Sequence, residues 1–344
     1  MSGWIDAHVH AFGGTESLAE LEQIERRFGY DTANFLSVEG MDDAAQNALA
    51  IAWKLMAKRH YAFGGLHHRF AYDAAAEMQK LWEIGLDGIK MIENKPTERF
   101  RLGIGQDDDS LDAMYAAAEE QGIPFLIHVN DPKEFWDADA IPAWARDAGY
   151  FYGAPGYTGY EQILSESLHM MKKHPKLKAC FAHFLFLSDD HDRLRAIMDT
   201  YPNLWLDVTA GTEMYPNFAN HPEQWRRFFI DYADRILYGT DNCAPTQDED
   251  MQIAEALNNL ERSFFRNAET IPLWDRTLCG IDLPADVFEK LTHGNFLRFA
   301  DAEPRPLNRP LAAAYLKDRL TDPRFHLTPQ EYGVIETVLE RTLA

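Results

Sequence analysis

Short apolar runs alternate with longer amphipathic stretches along most of the chain. The apolar runs are GWIDAHV, TANFLSV, YAFGGL, DGIKMI, PFLIHV, KACFAHFLF, NLWLDV and RILYGTD, and charge-dotted stretches such as DDAAQNALAIAWKLMAKR and WRRFFIDYADR follow most of them. Nearly continuous apolar runs are typical of parallel strands that are buried on both faces. Eight such runs with helices between them predict an α/β fold, the (β/α)8 or TIM barrel.

The alternation stops near residue 300, which divides the chain into two predicted parts. Residues 1–300 form the barrel domain, and residues 301–344 open with the proline-rich stretch EPRPLNRP before helix-like sequence. We expect the second part to be a C-terminal helical tail packed on the barrel. Thr328 and Glu331 predict a capping box at the start of its last helix. Within the barrel, Ser188 predicts the cap of the helix that follows the sixth strand.

Acidic residues outnumber basic ones by 55 to 33, which gives a formal net charge of −22 at pH 7. Such a charge repels phosphate groups, so we expect neither a nucleic-acid nor a membrane partner. The three cysteines are too few for a disulfide framework, and the N-terminus lacks the pattern of a secretory signal. We therefore expect a cytoplasmic protein that acts on a small-molecule substrate.

The stretch WIDAHVHAFGG places two histidines in an apolar run at the start of the chain. Residues two apart on a strand point to the same side, so His8 and His10 share one face. Gly13 and Gly14 follow directly and place the pair near the C-terminal end of the strand, where barrel active sites lie. Two neighbouring imidazoles can bind one divalent metal ion. The alternative is a hydrogen-bonded core histidine beside an unrelated one.

Polar residues at other strand ends favour the metal site. His128 ends the fifth run, His183 lies in the sixth, Asp241 follows Gly-Thr after the eighth, and Lys90 lies within the fourth. Each has a structural alternative: a core histidine, a lysine that extends to solvent, or an aspartate that caps a helix. Their joint occurrence at strand ends of one barrel predicts metal binding.

The motifs DAHVHAFG, IPFLIHV, AHFLFLS and YGTDN resemble those of the amidohydrolase superfamily, in the branch called amidohydrolase 2. That branch includes aminocarboxymuconate-semialdehyde decarboxylase, resorcylate-type decarboxylases and several lactone hydrolases. The resemblance covers residues from about 3 to 300. It implies a metal-dependent catalytic barrel, and the branch often forms homodimers.

The resemblance also implies the ligands of the metal. His8, His10, His128 and Asp241 would hold one divalent ion, for which we expect Zn²⁺, with Mn²⁺ as an alternative. In two-metal members of the superfamily a carboxylated lysine at the end of the fourth strand bridges both ions. The run GIKMIE resembles that motif, so Lys90 and His183 would then serve a second ion. We favour a single ion.

The implied chemistry is hydrolysis of an amide, lactone or ester by metal-activated water. Asp241 would act as general base and then general acid, and His183 would donate a hydrogen bond to the developing oxyanion. The alternative is a non-oxidative decarboxylase of the same branch. A third hypothesis, outside the enzymes, is a barrel that has lost catalysis and serves as a binding or assembly protein.

Five residues in loops at this end of the barrel are candidates for contact with the substrate: Arg69, Trp136, Tyr157, Glu213 and Tyr215. Arg69 could hold a substrate carboxylate bidentately, or pair with a nearby acid. Trp136 and Tyr157 belong to a long aromatic loop after the fifth strand, where they line a pocket or pack against each other. Glu213 and Tyr215 follow the seventh strand. We expect a small substrate that carries a carboxylate.

Overall fold

Parallel strands alternate with helices from the N-terminus onward, which confirms the predicted barrel. The computed structural model describes residues 3–39, 43–67, 73–209, 213–245, 248–273 and 276–344. Its strands are β1 Trp4–Ala11, β2 Tyr30–Leu36, β3 Tyr61–Gly65, β4 Gly88–Asn94, β5 Phe125–Val129, β6 Ala179–Phe181, β7 Leu204–Asp207, β8 Ile236–Leu237, β9 Asn242–Ala244, β10 Thr270–Leu273 and β11 Arg276–Cys279. The last two form a separate antiparallel hairpin.

The α-helices lie between these strands and after them. They are α1 Glu16–Phe28, α2 Gln46–Met56, α3 Ala74–Ile84, α4 Pro96–Leu102, α5 Asp112–Gln121, α6 Ala143–Asp147, α7 Tyr160–Lys173, α8 His191–Thr200, α9 Met214–Asn220, α10 Pro222–Asp231, α11 Asp248–Phe264, α12 Ala285–Glu289, α13 Asn295–Phe299, α14 Arg309–Thr321 and α15 Pro329–Leu343. Among the described residues, no helix is both long and apolar enough to cross a membrane.

The eighth barrel strand is interrupted, and its two pieces close the ring. The strand order is β8-β7-β6-β5-β4-β3-β2-β1-β9, so β8 pairs with β7 while β9 pairs with β1. Between the pieces, Ala7 N donates to Tyr238 O over 3.0 Å, and Asp241 N donates to His8 O over 2.9 Å. A Cβ at Gly239 would lie 2.8 Å from the His8 Cβ. Only glycine therefore allows the eighth strand to approach β1 this closely.

Apolar side chains fill the barrel on both sides of the sheet. Inside the ring, Leu36, Phe63, Leu126 and Leu237 belong to one buried cluster, which Phe299 from α13 also joins. A larger cluster lies between the strands and the surrounding helices. This two-sided burial explains the nearly continuous apolar runs of the sequence, and it leaves the C-terminal ends of the strands as the polar end of the barrel. We call that end the mouth.

The C-terminal region is helical, as predicted. Helices α14 and α15 pack against each other, and they also contact α2 and α3. The capping box forms, because Glu331 N donates to Thr328 Oγ1 and Thr328 N donates to the Glu331 carboxylate. The predicted cap at Ser188 is wrong. Asp190 caps α8 by accepting from Arg193 N, since the helix starts two residues later than predicted.

Candidate metal centre

Three of the predicted ligands meet at the mouth. Their ligand atoms all lie within 4.8 Å of one another, and we call His8, His10 and Asp241 the ligand triad. The His8 and His10 Nε2 atoms are 3.1 Å apart. Asp241 Oδ1 lies 3.3 Å from His10 Nε2 and 3.5 Å from His8 Nε2. The end of β1 supplies the imidazoles, and the gap between β8 and β9 supplies the carboxylate.

Hydrogen bonds on the far side of each imidazole determine which nitrogen carries the proton. His10 Nδ1 lies 2.8 Å from Leu36 O, and His8 Nδ1 lies 2.9 Å from Asp207 Oδ2. Carbonyl and carboxylate oxygens only accept, so both Nδ1 atoms carry hydrogen and both Nε2 atoms present lone pairs. The triad thus brings three acceptor atoms together.

Three converging acceptors repel one another unless a cation lies between them. Two ligands that each stand 2.0–2.1 Å from a tetrahedrally coordinated ion would be about 3.4 Å apart. The three separations in the triad, 3.1 to 3.5 Å, are close to that value. The residues present therefore fit a divalent metal ion.

The charge state of the triad also suits a metal ion. Burial and the nearby Lys90 lower the pKa of His8 to about 3, so its imidazole is neutral at neutral pH. Burial opposes ionisation of Asp241, and positive charge on His8 and His10 would hold the pKa of this carboxyl well below its usual value. When the two imidazoles present lone pairs instead, a bound cation would supply that charge. Burial also lowers the pKa of Lys90 to about 8. Its Nζ lies 3.4 Å from His8 Nε2, at the inner side of the triad.

His183 is carried by an unusual turn at the end of β6. The φ angles of residues 183–186 are 53°, 53°, 57° and 52°, although none of the four is glycine. Left-handed backbone costs about 1–2 kcal/mol per non-glycine residue. The fully buried Phe184, which packs on Phe218 and Phe229, offsets part of this cost. The turn brings the His183 ring to 5.7 Å from that of His8, measured between centroids.

His128 lies beside His183 but not within the ligand triad. The two ring centroids are 5.0 Å apart. His128 Nε2 donates to Asn130 O over 2.8 Å, with Asp131 Oδ1 at 3.3 Å, so its lone pair is on Nδ1. Burial, with Lys95 nearby, lowers the pKa of His128 to about 3. The assignment of His128 as the fourth ligand stays a prediction.

The aromatic candidates pack within the protein itself. Trp136 Nε1 donates to Thr158 O, and its ring packs on Tyr152 at 4.9 Å. Tyr157 stacks on Phe100 at 4.8 Å. Trp136 thus packs within the loop, and Tyr157 packs on α4; contact of either with the substrate stays a prediction.

The candidates after β7 have different surroundings. Tyr215 is 1% exposed, and its hydroxyl donates to Val208 O, which gives this side chain a place in the core. Both carboxylate oxygens of Glu213 are buried without a hydrogen-bond partner among the described residues. Burial, together with Glu134 and Asp131, raises the pKa of Glu213 to about 7. Arg69 lies outside the described residues. Substrate contact by these residues stays a prediction.

Sequence reasoning missed two residues at the end of β7. Asp207 is completely buried and contacts His8, and Thr209 contacts both His8 and His183. The available signal was an aspartate at the end of the apolar run NLWLDV. A charge at the C-terminal end of a fully buried strand is aimed at the mouth.

Fold and site together define a TIM-barrel protein with a candidate metal centre at the mouth, where barrel enzymes hold their active sites. The amidohydrolase family model matches residues 5–299, and the chain belongs to that family. The match confirms the resemblance to the amidohydrolase 2 branch. Enzymes of this family are typically metal-dependent, in keeping with the ligand triad.

Solved structures with the same fold are distant in sequence. A 2,6-dihydroxybenzoate decarboxylase complexed with 2,6-dihydroxybenzoate is 14% identical, with a TM-score of 0.56 over 87% of this chain and 99% of its own. A 4-oxalomesaconate hydratase from Rhodopseudomonas palustris is 14% identical, with a TM-score of 0.52 over 92% and 98%. An uncharacterised TIM-barrel protein from Bordetella bronchiseptica is 15% identical, with a TM-score of 0.55 over 86% and 97%. No curated protein matches the chain significantly.

Proposed function

We propose that the protein is a metal-dependent hydrolase that cleaves an amide, lactone or ester of a small substrate. The observation that carries the proposal is the ligand triad, in which the Nε2 atoms of two imidazoles converge with a carboxylate oxygen. A divalent ion bound there would polarise a substrate oxygen and lower the pKa of a water molecule. We propose Zn²⁺ as that ion, because the nitrogen and carboxylate donors suit it.

The protein's own residues supply the proton transfers. The Asp241 side chain is 40% exposed at the mouth, so it can accept a proton from the attacking water and deliver it to the leaving group. His183 Nδ1 donates to Thr209 O, which leaves Nε2 as the nitrogen that can turn to the substrate. Protonated at Nε2, His183 would donate a hydrogen bond to the oxyanion that forms on the substrate.

The same site suits decarboxylation less well. A decarboxylase must hold a substrate carboxylate, and the cations after β4 are already paired: Lys95 with Asp131, and Arg99 with Glu166. One structural neighbour is named as a decarboxylase, so this activity remains the second candidate. Arg69 would then hold the carboxylate.

The proposal also covers domain organisation, cellular location and assembly. Residues 1–300 would form the catalytic domain and residues 301–344 a support on its outer surface. The protein would act in the cytoplasm. It would assemble as a homodimer.

Metal content and a substrate panel test the proposal together. Protein purified without chelators, and a Lys90→Ala variant, are expected to hold one ion per chain each. The parent protein is expected to hydrolyse members of a panel of lactones, esters and amides in a pH-stat assay. Release of CO₂ from aromatic carboxylic acids without hydrolysis would favour the decarboxylase. Two ions that fall to one in Lys90→Ala would indicate a binuclear site, and absence of metal would favour a binding protein.

A further inference from the structure

The end of β7 holds two imidazoles that belong to different strands. His8 Nδ1 lies 2.9 Å from Asp207 Oδ2 and 3.2 Å from Thr209 Oγ1. His183 Nδ1 donates to the main-chain oxygen of Thr209 over 3.1 Å. A ligand of the triad and the proposed catalytic imidazole thus both contact Thr209, two residues beyond the end of β7.

The other oxygen of Asp207 holds the backbone of the left-handed turn. Asp207 Oδ1 accepts from His183 N over 2.8 Å and from Thr209 N over 3.2 Å. His183 is the first of the four left-handed residues. The hydrogen bond to its main chain therefore acts where the strained turn begins.

We propose that Asp207 is a positioning residue that fixes the tautomer of His8 and anchors the left-handed turn that carries His183. One carboxylate thereby couples the geometry of a metal ligand to that of a catalytic side chain. The inference rests on the proposed metal centre. Hydrogen-bonding partners behind metal-binding histidines commonly contribute to affinity in this way.

Asp207→Asn separates this role from simple packing, because the amide has only one acceptor oxygen. That oxygen has to stay on the main-chain N–H groups of His183 and Thr209, since the NH₂ group would face two donors there. The NH₂ group then donates to His8 Nδ1 and forces the proton of His8 onto Nε2. A protonated Nε2 has no lone pair for a metal ion. The substitution thus preserves the shape of side chain 207 and changes the tautomer of His8.

Asp87→Asn is the matched control. Asp87 is also completely buried, and it accepts from two main-chain N–H groups, of Ala62 and Arg305, and from the side chain of Lys54. It lies just before β4, at the end of the barrel opposite the mouth. Asp87→Asn makes the same change of a carboxylate to an amide at a residue that does not contact the triad.

The experiment measures Co²⁺ affinity of the apoprotein by competition with a chromophoric chelator. Asp207→Asn is expected to weaken binding by about 10- to 100-fold, while Asp87→Asn leaves it unchanged. Long-range ¹H–¹⁵N spectra of histidine-labelled apoprotein, with the His8 signal identified by its loss in His8→Gln, report the tautomer. We expect Nδ1–H in the parent protein and Nε2–H in Asp207→Asn.

Unchanged Co²⁺ affinity together with an unchanged His8 tautomer would overturn the inference. If Asp207→Asn fails to fold, the spectra of the parent protein decide: Nδ1–H on His8 is expected beside the Asp207 carboxylate, and Nε2–H would overturn the inference. A parent protein that binds Co²⁺ but hydrolyses nothing would refute the proposed function and leave the positioning role intact.

Discussion

The barrel holds two polar clusters near β1, and their polar groups are paired in opposite ways. The ligand triad turns bare acceptor atoms toward one another. The second cluster, which we call the carboxyl network, consists of Asp6, Glu25, Tyr30, Tyr238, Asn242, Asn258 and Glu261. In this network, acceptors meet donors: Asn242 Nδ2 donates to Glu25 Oε1 over 2.8 Å, and Tyr238 Oη donates to Glu261 Oε2 over 3.0 Å.

The pKa values of the carboxyl groups also differ between the two clusters. Burial, with Asp6 nearby, raises the pKa of Glu25 well above its usual value, and it raises the pKa of Asp6 itself to about 7. Positive charge on His8 and His10, or on an ion between them, would shift the pKa of Asp241 the other way. A buried carboxyl surrounded by neutral donors and other carboxyls retains its proton. A carboxyl beside a cation is ionised, as Asp241 would be with a metal ion bound in the triad.

The largest expected effect comes from removing the charge of the triad. Asp241→Asn removes both the anionic ligand and the proposed proton acceptor, so kcat/KM should fall by at least about 10³-fold. Steady-state assays and metal content per chain measure the effect. Asp234→Asn is the control, because Asp234 is an exposed partner of Lys290 and Arg298. Full activity in Asp241→Asn would contradict the proposed mechanism.

Removal of metal ions should lower the stability of the folded protein. An ion at 100 times its Kd stabilises the folded state by about 2.7 kcal/mol. Thermal unfolding after EDTA treatment and again after Zn²⁺ addition measures this gain. The same gain is expected in Glu261→Gln, because the carboxyl network does not bind the ion. A gain that disappeared in this variant would show that the two clusters are not independent.

Tyr30→Phe should disrupt the carboxyl network alone. The Tyr30 hydroxyl donates to Asn258 Oδ1 and is 2.8 Å from that of Tyr238. Its loss leaves buried polar atoms unsatisfied, at a cost of about 1–3 kcal/mol. Urea denaturation measures this loss, with Tyr332→Phe on an exposed helix face as the near-neutral control. Co²⁺ affinity should not change, and weaker binding would refute the separation of the clusters.

Glu261→Gln should change how stability depends on pH. Burial and the charge of Asp6 raise the pKa of Glu261 well above its usual value. The parent protein therefore loses stability as pH rises from the unfolded-state pKa, about 4.3, toward the folded-state value. The variant lacks this loss, so its stability relative to the parent should increase between pH 5 and pH 8. Urea denaturation at both pH values checks this, and a constant difference would contradict the raised pKa.

The fold was predictable because each apolar run carries its own signal. Burial on both faces requires continuous apolar sequence, and eight such runs define the barrel. The break in the eighth strand was not predictable in the same way. It depends on how closely Gly239 approaches His8 and Thr209, which is a contact between residues far apart in the chain.

Position along the chain predicted a metal site at the strand ends, whereas the choice of ligands came from the family resemblance. Alternation along β1 and the location of strand ends bring His8, His10 and Asp241 together whatever their rotamers. The orientation of His128 depends on the positive φ of Asn130, which places a carbonyl against Nε2. The role of Asp207 depends on a pairing across 199 residues. Strand-end arguments locate side chains but do not assign their hydrogen bonds.

The backbone at position 241 narrows the range of substitutions open to evolution. Asp241 has a φ of 60°, a conformation that glycine, asparagine and aspartate tolerate better than other residues. Glutamate, the other carboxylate ligand, would here add backbone strain at the seam of the barrel. Aspartate combines tolerance of this conformation with a negative charge. A descendant of this protein that changed its metal preference would therefore be expected to alter β1, β5 or β7 before position 241.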